Sequence, residues 1–98
     1  MADYALSALA EQDLDDIATY TTQTFGASKA RAYKAALIQS AEIAASFPLI
    51  GRTYTTKKGS AFQMYSVGRH AIFYRPSDTG IYIVRVLHLT MDFDRHLE

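Results

Sequence analysis

The spacing of apolar residues changes around Pro48, and that change limits the fold more than any other feature. Ahead of it, Ala10, Leu14, Ile17, Thr21 and Phe25 recur three or four residues apart, which places them on one helix face. Ser7 can cap that helix, Glu11, Asp13, Asp15 and Asp16 favour its opening turns, and Gly26 suits its end. Ser28 is placed to cap a second helix with the face Ala30, Tyr33, Leu37, Ala41, Ala44 and Phe47, stopped by Pro48. So short a join makes the two an antiparallel hairpin. Residues 48–60 read as a polar loop. Ala61 to Val67, His70 to Arg75 and Ile81 to Leu89 then read as strands, joined by Gly68-Arg69 and by Pro76-Ser77-Asp78-Thr79-Gly80. With a short strand at Tyr4 to Leu6, the expected fold is α+β, ordered strand-helix-helix-strand-strand-strand. A small, mostly antiparallel sheet would carry the helix hairpin on one face, as a single domain over residues 1–98.

Strand side chains alternate between faces. A regular register places Phe62, Met64, Ala71, Phe73, Arg75, Ile81, Ile83, Arg85 and Leu87 on one face. It places Tyr65, Val67, His70, Ile72, Tyr74, Tyr82, Val84, Val86 and His88 on the other. Both are apolar, and a helix hairpin covers only one. The remaining face is expected to take a partner; the plainer alternative is that the C-terminal tail and the 48–60 loop cover it.

Composition removes several functions. The absence of cysteine excludes disulfides and thiolate chemistry. No apolar run approaches the roughly 20 residues of a membrane span, and Met1-Ala2-Asp3-Tyr4 does not begin a signal peptide, so a cytoplasmic protein without membrane contact is expected. Ten basic and ten acidic residues cancel, which disfavours direct nucleic-acid binding. The halves differ, however: residues 1–50 carry six acids against three bases, and residues 51–98 seven bases against four acids. The second half should therefore attract acidic partners. The three histidines lack metal-ligand spacing and no glycine loop cradles phosphate, so neither a metal nor a cofactor is expected.

Metal-independent RNA cleavage needs a base, a phosphate clamp and an acid. His70, His88, His96, Arg52, Arg69, Arg75, Arg85, Tyr74 and Tyr82 are the candidates, but the register separates Arg75 and Arg85 from His70, His88 and the tyrosines. Plainer roles compete: a packed His88, an Arg85 bound to a carboxylate such as Asp92 or to backbone, and an Arg52 capping the second helix.

Tyr4-Ala5-Leu6-Ser7, Ala10, Asp13-Leu14, Ile17, Tyr20 and Phe25-Gly26 resemble the opening of ParE-type toxins of bacterial toxin–antitoxin modules. So do Pro48-x-x-Gly51-Arg52, Gly68-x-His70-x-Ile72-Phe73-Tyr74-Arg75 and Ile83-x-Arg85-Val86-Leu87-His88-x-x-Met91-Asp92 with His96-Leu97. The resemblance runs the length of the chain. It implies the fold shared with RelE-type ribonucleases, a ParD-like acidic antitoxin that wraps the toxin, and DNA gyrase as target. The alternative is ribosome-dependent mRNA cleavage of RelE type. RelE-type nucleases usually carry an arginine in the third strand where Ala71 stands here, so no catalytic residue is expected. ParE-type toxins are commonly basic, and this chain is neutral. Phe62, Met64, Phe73, Arg75, Ile83, Arg85 and Leu87 are the expected antitoxin contacts. Met91, Asp92, His96 and Leu97, on a tail projecting past the sheet, are the expected target contacts.

Overall fold

A computed structural model describes residues 3–98; Met1 and Ala2, which open the stretch read above as no signal peptide, lie outside the described residues. The elements are β1 (Asp3–Leu6), α1 (Ala8–Phe25), α2 (Ala27–Ser46), β2 (Arg52–Thr55), β3 (Ala61–Val67), β4 (His70–Ser77), β5 (Gly80–His88) and α3 (Phe93–Leu97). The strands form one sheet in the order β1-β5-β4-β3-β2, with β1 parallel to β5 and the other pairs antiparallel. The expected α+β architecture holds. Strand β2 and helix α3 are additions to it.

Local chemistry explains the boundaries. The Ser7 hydroxyl accepts from Ala10 N at 3.0 Å and caps α1, a contact worth about 1 kcal/mol. Gly26, at φ 92, ends α1 and starts α2 alone, so Ser28 lies inside the first turn of α2 instead of capping it. A residue with a side chain would be strained there, which is why the hairpin turns on glycine. Gly68, at φ 57, takes the first central place of the β3–β4 turn, opposite Val67↔His70.

Two clusters of buried side chains lie on the two sides of the sheet. On the helix side, Ala10, Leu37, Ala41 and Ala44 meet Ile72, Tyr74, Ile81, Ile83 and Val86. The alanines let α2 approach closely. On the other side, Phe62, Ala71, Phe73 and Leu87 lie beneath Tyr54, Met64, Val84, Phe93 and Leu97.

The regular register fails at one point. Phe73 faces Arg85 but Tyr74 faces Ile83, so Val84 is an extra residue in β5. Such a bulge reverses the alternation beyond it. Ile81 and Ile83 therefore belong to the helix side, and Val84 packs with Phe73 and Leu87. The assignment of Ile83 to the open face is corrected on this ground. That face is not open either, because Phe93 and Leu97 of α3 cover it, together with Tyr54 from the segment read as loop.

Candidate functional site

Arg85 organises the C-terminal end. Strand β1 stops at Leu6, leaving the outer edge of β5 without a ladder partner beyond Ile83. Side chains complete that edge: Ser7 Oγ donates to Val84 O at 2.6 Å, and Asp13 Oδ2 accepts from Val86 N at 3.0 Å. The same carboxylate takes Arg85 Nε and Nη2 at 2.8 and 2.9 Å, while Arg85 Nη1 donates to His96 O at 3.1 Å. Bidentate geometry and partial burial make this a strong pair, and the bond to Asp13 holds the guanidinium in its charged form. The carboxylate partner is Asp13 of α1, not Asp92. Arg85 thus ties α1, β5 and the C-terminus together, and is consumed in doing so.

The tail after β5 folds back on the sheet; it does not project. Phe93 stacks edge-on to Phe73 and Tyr54, with ring centroids 4.9 and 5.6 Å apart. Asp94 accepts from the Tyr54 hydroxyl and, at 2.9 Å, from Lys57 N. The hydrogen bond to Asp94 pushes the Tyr54 phenol up to about 12, and the same bond, then the Lys57 amide, lowers the Asp94 carboxyl. Among the expected target residues, Leu97 is half-buried on the sheet, whereas Met91, Asp92 and His96 face solvent. Of the expected antitoxin residues, Phe62, Phe73, Ile83 and Leu87 are buried. Arg75 lies 4.2 Å over the Phe62 ring and donates to Ala61 O, and Met64 is partly covered.

At the β3–β4 turn, the helices and the sheet leave a groove of about 1090 Å³. Ile17, exposed Tyr20 and Phe25, and exposed Met91 give it apolar walls. Lys29, Arg69 and Asp16 supply charge. At its mouth the Tyr33 hydroxyl lies 2.5 Å from His70 Nδ1, 3.2 Å from Val67 O and 3.3 Å from Arg69 N. The His70 and His88 rings meet edge-on, 5.1 Å apart, and His88 Nδ1 is held by Thr90. Burial, then the charge of His88, lowers the His70 pKa from its ordinary 6.5. Sequence reading placed His70 and His88 on one face but missed Tyr33, Tyr20 and Phe25 as groove residues. No short-range signal joins Tyr33 to His70, although Phe25 beside the hairpin glycine was visible. No group of three His, Cys, Asp or Glu among the described residues has a metal-binding arrangement.

The sequence profile of the ParE toxin of the type II toxin–antitoxin system parDE matches residues 4–93. A protein named Toxin ParE1 from Caulobacter vibrioides is 35% identical over 97 residues, covering 99% of each chain. Toxin ParE1 of Mycobacterium tuberculosis is 37% identical over 95 residues, covering 96% of each. The fold is also that of a chain from the chromosomal ParDE system of P. aeruginosa, with a TM-score of 0.74 at 16% identity, over 90% of this chain and 96% of that one. The chain is thus a toxin component of a type II toxin–antitoxin system. The chain belongs to the ParE toxin family.

Proposed function

We propose that this toxin acts by binding and not by catalysis, with DNA gyrase as target and a ParD-like antitoxin as its neutralising partner in the cytoplasm. The gyrase assignment rests on family membership. The observation supporting a non-enzymatic action is the state of Arg85: its guanidinium is bound to Asp13 and to the His96 carbonyl, so it is not free to clamp a phosphate. Ala71, buried and without a donor, offers no substitute. Purified gyrase provides the test. Supercoiling should fall as toxin is added; full activity at a large toxin excess rejects the reading.

For the antitoxin, the groove at the β3–β4 turn is the proposed seat of an amphipathic helix, whose apolar face would meet Tyr20, Phe25 and Met91. Met91 both lines this groove and stands exposed at the start of the tail, so an occupied groove would mask Met91, one of the proposed target contacts Met91, Asp92 and His96. Arg69 and Lys29 suit an acidic partner. Tyr20→Asp should weaken antitoxin binding at least about tenfold without unfolding the exposed site; unchanged affinity places the antitoxin elsewhere.

Ribosome-dependent mRNA cleavage remains the second reading because His70, His88, Tyr33 and Arg69 share one groove mouth. It requires cleaved message in a translating extract, lost in His70→Ala. Intact message under those conditions dismisses it.

A further inference from the structure

The turn Phe47-Pro48-Leu49-Ile50 joins α2 to β2 and sets three large apolar side chains in solvent: Phe47 is 65% exposed, Leu49 81% and Ile50 46%. Single exposed apolar residues need no explanation, but three within four positions do. This is no slack loop. Phe47 N donates to Ile43 O at the end of α2, Ile50 N closes the turn on Phe47 O at 2.9 Å, and Pro48 presets the backbone at the first central position. The hydroxyl of Tyr74, a residue buried in the sheet, donates to Pro48 O at 2.8 Å and accepts from Gly51 N at 3.3 Å. Gly51 permits this approach, since a Cβ there would lie 2.8 Å from Met64 O and 3.0 Å from the Tyr74 hydroxyl. The fold therefore holds an apolar ridge rigidly outward, and a partner binding it would lose little freedom in the ridge.

Charge beside the ridge defines the partner further. Between Glu42 and Asp78 the sequence contains no acid, and the bases Arg52, Lys57 and Lys58 lie in or just after β2, the strand that leads out of the ridge. Exposed Arg52 follows Gly51 directly, and Lys57 and Lys58 stand at the far end of β2, whose outer edge is the edge of the sheet. A convex apolar ridge also differs in shape from the concave groove at the β3–β4 turn. A groove receives a segment that wraps the toxin; a protruding ridge requires a preformed cleft in a folded protein.

We infer that Phe47, Leu49 and Ile50, with Arg52 beside them, form a target-engaging surface separate from the antitoxin groove, and that they insert into an apolar cleft rimmed by carboxylates on a folded protein. This rests on the reading that the chain is a binding toxin. The test pairs growth inhibition on induction in a bacterium with affinity for the antitoxin encoded in the adjacent frame. Leu49→Glu and, separately, Arg52→Glu should cut growth inhibition at least about tenfold, as truncation of an interface anchor does. Antitoxin affinity and thermal stability should stay within about twofold and a few degrees of the parent. Undiminished toxicity of both variants overturns the inference, as does a parallel loss of antitoxin affinity, which would give the ridge to the antitoxin. Sedimentation with phosphatidylglycerol vesicles that Leu49→Glu abolishes would assign it to a lipid surface instead. If the parent chain leaves growth unimpaired, the toxin reading itself fails and this surface falls with it.

Discussion

The two sides of the sheet are covered in different ways. On one side, α1 and α2 bury Ile72, Tyr74, Ile81, Ile83 and Val86 under long helices whose apolar stripes are part of their own sequence. On the other, five residues of α3 shield Phe73 and Leu87. So short a helix has no stability of its own. Three polar contacts fix it instead: Asp94 to the Tyr54 hydroxyl, Asp94 to the Lys57 amide, and Arg85 to the His96 carbonyl. The helix side is therefore inseparable from folding, while the α3 side is expected to act as a strap that opens locally while the rest stays folded.

The largest expected effect lies on the helix side. Ile83→Ala removes a fully buried side chain facing α1 and α2 and should cost about 3–4 kcal/mol in urea unfolding. It should also speed amide exchange throughout the sheet. Faster exchange confined to β5 would mean that the helices, too, are a local cover. Next comes Asp13→Ala, which strips the bond from Val86 N and leaves the guanidinium of Arg85, a side chain only 14% exposed, without its carboxylate. A loss of about 3 kcal/mol is expected. Because Arg85 also holds His96 O, the strap should loosen with it, seen as increased binding of an apolar dye. A loss below about 1 kcal/mol would show that the clamp is dispensable.

Phe93→Ala sharpens the contrast from the other side. Its ring is only partly buried, so about 2 kcal/mol is expected, less than for complete burial. The decisive readout is locality: exchange should rise at Lys57 and around Phe73 while α1 and α2 keep their protection. Tyr54→Phe should act in the same direction and more weakly, since the Asp94 bond to Lys57 N survives. With Asp94 held below the ordinary carboxylate range, its contribution is present above that range and lost as pH falls through the lowered pKa. Acid should accordingly release the strap in the parent chain and change less in Tyr54→Phe.

What the sequence made legible follows the same division. Helices α1 and α2 showed themselves through period, Ser7 and Gly26, and the β3–β4 hairpin through Gly68. Three features escaped. Strand β2, Arg-Thr-Tyr-Thr, is an edge strand with a single half-buried side chain, Tyr54, so its apolar alternation is too short to register. The bulge at Val84 sits in Ile-Val-Arg-Val-Leu, where a slip by one residue still reads apolar on both faces, hiding the reversal that carries Ile83 to the helix side. Helix α3 left a faint mark: Phe93 and Leu97 are four apart, as residues on one face must be. The groove was the least visible, because Tyr20, Phe25, Tyr33, His70 and Met91 come from elements whose mutual placement no local pattern encodes.

The smallest effect concerns His70, at the groove mouth. Burial and the neighbouring His88 both disfavour its charged form, so its folded pKa lies below the ordinary 6.5. Below that ordinary value the unfolded chain binds more protons than the folded one, so stability from this residue is complete above about pH 6.5 and declines as pH falls through the depressed pKa. The groups facing it are the Tyr33 hydroxyl at Nδ1, His88 at its edge, and Arg69, Lys29 and Asp16 around the groove. A nuclear magnetic resonance titration of the His70 ring should give a midpoint below 6.5, rising in His88→Gln as the repelling ring is removed. A midpoint above 6.5 would mean that the groove mouth stabilises the imidazolium. The groove would then favour an acidic partner more strongly in mild acid, and its histidines would belong to its charge and not to its packing.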